Sequence, residues 1–143
     1  MLDLEERILK HIAAFVFALL LPVAASAATT DSQKATDAAK SWLGLVDAND
    51  YAQSWNTAGA FLQRQITEAQ WETSGKAVRG PLGLVMARKI VDVDFATTLP
   101  GAPDGQYAVV HFATWFTNKA SATETVAMVM DGGVWKVIGY HIR

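Results

Sequence analysis

Apolar and polar residues change rhythm twice along this chain. Between Ile12 and Thr30 no residue is charged, and Ile12 to Val23 is almost wholly apolar. From Ala35 onward the spacing becomes helical. Ala35, Ala38, Ala39, Trp42, Leu45 and Val46 recur at three- and four-residue steps and form one stripe. Asp31 or Ser32 can cap this helix, and Asn49-Asp50 breaks it. A shorter helix is expected from about Tyr51 to Ala58, with Tyr51 and Trp55 on one face. Phe61 to Ile66 suits either an extension of that helix or a short strand, and periodicity does not decide. Thr67-Glu-Ala-Gln70 has the form of a capping box, in which the Thr and Gln side chains each satisfy an orphan backbone amide. It opens a third helix, Glu68 to about Val78, which Gly80-Pro81 ends.

Beyond this point the period drops to two. Val91, Val93 and Phe95 alternate with Asp92 and Asp94, giving one apolar and one wet face. Leu99 to Gly105 is rich in turn residues. Tyr107 to Thr117 reads as a long strand with Ala108, Val110, Phe112, Thr114 and Phe116 on one face. Tyr107, Val109, His111, Ala113 and Trp115 occupy the other. Both faces are largely apolar, which predicts a central strand at least partly covered on both sides. Asn118 to Ser121 is expected to turn the chain, Thr123 to Met130 to form the next strand, and Asp131-Gly132-Gly133 a tight hairpin before Val134 to Ile142. Helices followed by an antiparallel meander give an α+β class: three N-terminal helices packed on a curved, four-stranded antiparallel sheet.

The N-terminal run has a separate meaning. Arg7 and Lys10 precede it and Ala25-Ser26-Ala27 closes it with small residues, the layout of a secretory signal peptide cleaved after Ala27. Asp3, Glu5 and Glu6 make its first segment acidic for that class. The competing reading is a retained membrane anchor, because the run approaches the roughly 20 residues that span a bilayer. Pro22 and the alanine-rich end favour cleavage. Residues 1–27 are therefore read as a signal peptide and 28–143 as one periplasmic or secreted domain, with no membrane attachment after cleavage.

Composition excludes several function classes. The 143 residues carry a formal net charge of -2 with scattered charges, so no basic stripe marks a nucleic-acid partner. The absence of cysteine removes disulfides, thiol nucleophiles, thiolate metal ligands and a lipidated cysteine. No phosphate loop or nucleophile elbow is present, and no cofactor is implied.

The order of short motifs carries a resemblance. Arg79-Gly-Pro-Leu-Gly83, Arg88, Pro103-Asp-Gly105, Tyr107, Phe112, Phe116, Glu124-Thr-Val126 and Gly133 to Tyr140 stand in one succession, preceded by Trp42, Asp47, Tyr51, Ser54-Trp55 and Trp71. This pattern resembles the secreted family called domain of unknown function 4019, over roughly Ala35 to Arg143. More loosely, the chain is similar to cone-shaped domains of the nuclear transport factor 2-like or cystatin-like kind, in which helices close one side of a curved sheet. The resemblance implies an architecture and no chemistry, since such folds host enzymes and binding modules alike.

Candidate chemistry is correspondingly sparse. Trp42, Trp55, Trp71, Trp115 and Trp135 all fall in the mature domain. Trp42 and Trp135 read as core; Trp55, Trp71 and Trp115 suit core or an aromatic-lined pocket equally. His111 and His141 sit on strands without a nucleophile or close carboxylate, and no third ligand is spaced to join them at a metal, so half-exposed strand histidines are the simpler reading. Asp92 and Asp94 read as solvated. Arg79, Arg88 and Glu124 could bind a ligand anion or form structural pairs, with Arg88–Glu124 across the sheet the preferred pair. These readings favour a non-enzymatic module that binds a small molecule or protein. Its expected ligand-binding residues are Trp55, Trp71, Arg79, Tyr107 and Trp115. A small cone-fold hydrolase, isomerase or dehydratase using His111, His141, Tyr107 or Asp92 is the enzymatic alternative. Assembly of two copies through a sheet face is the third.

Overall fold

The computed structural model describes residues 29–143; the expected signal segment and its expected cleavage after Ala27 lie outside the described residues. Among the described residues four α-helices precede four strands: α1 (Asp31–Asp47), α2 (Tyr51–Asn56), α3 (Ala60–Gln65), α4 (Glu68–Arg79), then β1 (Val85–Ala96), β2 (Tyr107–Phe116), β3 (Lys119–Asp131) and β4 (Val134–Ile142). The segment around Phe61 to Ile66, which periodicity leaves open, is the short separate helix α3. Among the described residues no helix is long and apolar enough to cross a membrane.

Local chemistry sets the helix ends. Thr30, rather than Asp31 or Ser32, caps α1 and forms a reciprocal box with Gln33. The Thr67–Gln70 box opens α4 as its sequence indicates. Asn49 leaves α1 with φ at 60°, a left-handed conformation that asparagine tolerates better than most residues. α1 buries Ala35, Ala39, Trp42, Leu43 and Val46 and touches all four strands. α4 packs on α2, and α3 lies against β4, where the Gly59 amide donates to the Val137 carbonyl at 2.7 Å. A methyl on Gly59 would stand 3.0 Å from Ile138 Cγ2, so this close approach favours glycine.

The sheet is an antiparallel meander in the order β1-β2-β3-β4. Its inner face carries Ala108, Val110, Phe112, Thr114 and Phe116 of β2, all buried, with Ala122, Glu124, Val126 and Met128 beside them on β3. On β4, Tyr140 lies opposite Val126 and Trp135 opposite Met130, which places both on this face. Phe95 and Trp135, from the two edge strands, bring their rings to 6.0 Å. Flat strands spaced about 4.8 Å apart would hold those backbones about 14 Å apart, and a sheet curved toward the helices helps the rings meet.

Two details depart from the sequence reading. A bulge between Ile90 and Asp92 leaves Val91 unpaired and 60% exposed, so it does not share the face of Val93 and Phe95. β3 begins at Lys119, because Phe116 pairs with Lys119 across a two-residue turn at Thr117-Asn118. β2 is covered on both faces, as its two-sided apolar pattern predicts, completely on the inner face and in part on the outer one, where Tyr107 is buried. On the outer face Val109, His111 and Ala113 are half-buried, and Trp115 is 37% exposed. Cross-strand neighbours suffice for that partial cover in an open antiparallel sheet.

The two faces of β2 should therefore respond differently to truncation. Phe112→Ala is expected to cost about 3–5 kcal/mol, the range for a fully buried aromatic, and Trp115→Ala about 1 kcal/mol or less. Urea denaturation midpoints check this, and equal losses would reverse the assignment of faces.

Candidate functional site

Each strand contributes one polar residue to the inner face, on a diagonal across the sheet: Arg88 from β1, Thr114 from β2, Glu124 from β3 and Tyr140 from β4. Pairing aligns Arg88 with Thr114, Glu124 with Phe112 and Tyr140 with Val126, so each neighbour is one same-face step out of level and the side chains converge diagonally on Glu124. Glu124 is fully buried. Its Oε1 accepts from Arg88 Nε at 2.7 Å and from the Thr114 hydroxyl, and its Oε2 accepts from the Tyr140 phenol. A carboxylate buried this deeply is tolerated because charged and neutral donors occupy both oxygens.

The helices complete the network. Asp47, in the last turn of α1, receives Arg88 Nη1 on Oδ2 at 2.7 Å and Arg88 Nη2 on Oδ1 at 3.0 Å, a two-point pairing. Arg79, at the end of α4, donates Nη2 to Asp47 Oδ1 at 2.8 Å and lies over the Phe116 ring, 5.0 Å from its centroid. Two guanidinium and two carboxylate groups therefore balance in charge. Burial alone would raise the Asp47 pKa, but hydrogen bonds and charge from Arg88 and Arg79 outweigh it and hold the carboxyl below its ordinary 3.8. Burial, reinforced by the Glu124 carboxylate, pushes the Tyr140 phenol well above its usual range, so it stays protonated and donates. For Arg88, burial works against the charge, and the two carboxylates more than restore it.

Beside the network lies a cavity of about 310 Å³ between α1, α2, α4 and β4. Tyr51, Trp71 and Tyr140 supply aromatic wall, Val46 and Ile142 aliphatic wall, and Ser74 and Val78 are exposed lining residues of α4. Arg79 also lines it. Its Nε is the one buried side-chain polar atom among the described residues without a hydrogen-bond partner. Ser54 fixes the aromatic geometry: its hydroxyl accepts from Trp71 Nε1 at 2.9 Å, and its carbonyl accepts from Trp42 Nε1 at 2.8 Å. Trp42 packs against Trp71 and Tyr140 at centroid distances of 5.9 and 5.4 Å. Gly75 permits the helix to approach Tyr51, since a methyl there would fall 2.5 Å from Tyr51 Cε1.

The five residues expected to share one pocket do not converge. Trp71 and Arg79 line this cavity. Trp55 instead donates its indole N–H to the Ile66 carbonyl at 2.9 Å, pinning α2 to the end of α3. Tyr107 is buried under the turn-rich connection, donates to the Pro103 carbonyl, and lines two other depressions. Trp115 points to the outer face, where Lys89 Nζ stands 5.8 Å from its ring centroid. β2 alternation separates it from the buried inner row. By alternation His111 and His141 also belong to the outer face, in register with Asp92 and with Thr125, although the exposed His141 on the edge strand lines the cavity as well. Contrary to its spacing along the chain, His111 does have carboxylates nearby, Asp92 and Asp94. Sequence reasoning assigns no role to Asp47 or Tyr140. An acidic residue in the last turn of a helix opposes the helix dipole, which is the local sign that Asp47 needs cationic partners.

The described residues share this arrangement, helices on one face of an open antiparallel sheet, with a solved nuclear transport factor 2-like structure. A putative NTF2-like transpeptidase from Campylobacter jejuni is similar at a TM-score of 0.50 and 14% identity, over 71% of this chain and 94% of that one. Aln2 from a Streptomyces species overlaps with TM-score 0.48 and 13% identity, over 77% and 87% of the two chains. At such identities the likeness extends to the fold alone. The family described as protein of unknown function (DUF4019) matches residues 38–140, and the chain belongs to that family. No curated protein matches the sequence.

Removing one member of the Arg88–Glu124 pair leaves a buried charge without its partner. Arg88→Met and Glu124→Gln should each cost about 3–5 kcal/mol, and the double variant less than their sum. A double-mutant cycle by chemical denaturation measures this; strictly additive losses would mean the two side chains do not act on each other.

Proposed function

We propose that the mature domain is a secreted, non-enzymatic binding module that takes a small, largely apolar, neutral ligand in the cavity between α1, α4 and β4. The observation that carries this reading is the aromatic wall of Tyr51, Trp71 and Tyr140 with Arg79 in the same lining. Such a site takes an apolar body and sets a few polar groups beside it. Neutrality follows from charge balance: Asp47 and Glu124 already offset Arg79 and Arg88, so no excess cation compensates a buried anion. Secretion is supported by the charge-free run that closes on Ala25-Ser26-Ala27.

The scatter of acid–base candidates supports binding over turnover. His111 and Asp92 lie on the outer face, Tyr107 is held by Pro103, and both Glu124 oxygens are occupied. His141 lines the cavity from an exposed position on β4, but catalysis needs such a group held against an orienting partner, and no side chain among the described residues hydrogen-bonds to it.

Titration with the neutral, environment-sensitive dye N-phenyl-1-naphthylamine tests the site. Saturable fluorescence enhancement is expected. Ser74→Phe, which fills the lining from an exposed helix position, should weaken it about fivefold or more, on the order of 1 kcal/mol. Trp115→Phe on the outer face should leave it unchanged. Unsaturable binding, or loss in Trp115→Phe with none in Ser74→Phe, would contradict this placement of the ligand.

A further inference from the structure

The outer face of the sheet holds a second grouping, independent of the cavity. The bulge at Val91 resets the alternation of β1 so that Asp92 and Asp94 both face outward, and register sets Asp92 directly opposite His111 on β2. Carboxylate and imidazole donor atoms of these three residues lie within 4.8 Å of one another. His111 Nε2 stands 3.9 Å from Asp92 Oδ1 and 3.8 Å from Asp94 Oδ2. These nearly equal separations exceed the roughly 2.7–2.9 Å of a charge-assisted hydrogen bond, so the three groups converge without bonding one another.

We propose that Asp92, Asp94 and His111 bind one divalent transition-metal ion on the outer face of the sheet. Three observations carry this. First, metal–ligand bonds of about 2.1 Å place two donors about 3.4 Å apart on a tetrahedral ion. The two His111–carboxylate separations are within about 0.5 Å of that, and rotation of the exposed Asp92 and Asp94 side chains can bring in the carboxylates, whose oxygens lie within 4.8 Å of each other. Second, His111 is already oriented: its Nδ1 lies 3.0 Å from Thr125 Oγ1 on β3, which leaves Nε2 directed at the carboxylates. A ring fixed through its second nitrogen is the outer support that metal-binding histidines use. Third, the carboxylates are otherwise uncompensated. Among the described residues no lysine or arginine lies within 4.0 Å of either, and the nearby Lys89 sits over Trp115. Imidazole in the donor set favours a transition metal over calcium or magnesium, while exposure leaves the remaining positions to water.

Zinc titration of the tag-free full chain by calorimetry tests the site. One ion per chain is expected, with His111→Ala weakening binding at least tenfold and a large excess of magnesium failing to displace it. Thr125→Val, which removes only the support of the ring, should weaken it by about tenfold. Asp94→Asn, an exposed substitution that leaves packing untouched, should also weaken it and so separates loss of a ligand from loss of the fold. His141→Ala should have no effect. Absence of stoichiometric binding, binding retained in His111→Ala, displacement by magnesium, or loss in His141→Ala would each overturn the proposal.

Discussion

The structure turns on a buried carboxylate that cannot be left alone. Glu124 lies in the middle of a largely apolar sheet face, with no exposure to water. Its charge demands Arg88; the guanidinium of Arg88 in turn demands Asp47, and Asp47 engages Arg79. Each step is forced by the cost of an unpaired charge in a low-dielectric interior. The chain of pairs runs from β3 through β1 to α1 and then α4, so it ties the helical layer to the sheet at one place. Buried ion pairs add little net stability over apolar packing, but they penalise every arrangement that separates them. Here they fix how α1 and α4 dock.

That docking creates the cavity. Arg79 ends α4 and reaches Asp47 beneath it, holding the helix so that Trp71, Ser74 and Val78 face β4 across open space. Tyr140 belongs to both systems, donating to Glu124 while its ring forms wall and packs on Trp42. Ser54 performs the same joining role on the other side, holding two indoles through one residue. Network and cavity are thus one construction: the charges set the helices apart and the aromatics line the gap. The outer face carries separate chemistry, isolated from the cavity by the thickness of the sheet.

Much of this is legible in the sequence. The helical stripe of α1, the Thr67–Gln70 box, the meander and the inner row of β2 follow from periodicity and capping, which are local. The Arg88–Glu124 contact is approachable because both residues stand on alternating strands with apolar neighbours. Convergence of side chains is harder. Asp92, Asp94 and His111 meet because a bulge at Val91 shifts the parity of β1, and period-two reasoning does not contain bulges. Trp115 suits a pocket by its aromatic character, but alternation on β2 turns it to the outer face. Asp47 and Tyr140 depend on register and helix docking across the whole domain, which a linear pattern does not encode.

The state of Asp47 tests the central constraint most directly. Its pKa is held below 3.8 in the folded protein, so the stability it supplies is fully present above the unfolded value and is lost as pH falls through the folded one. Unfolding free energies of the native protein and Asp47→Asn, measured from about pH 7 down to about pH 2, give that contribution as a difference. The account predicts a difference favouring the native protein that is constant above about pH 5 and shrinks as the solution passes below the ordinary carboxylate pKa. A difference that is absent at neutral pH, or that stays constant or grows into acid, would contradict it.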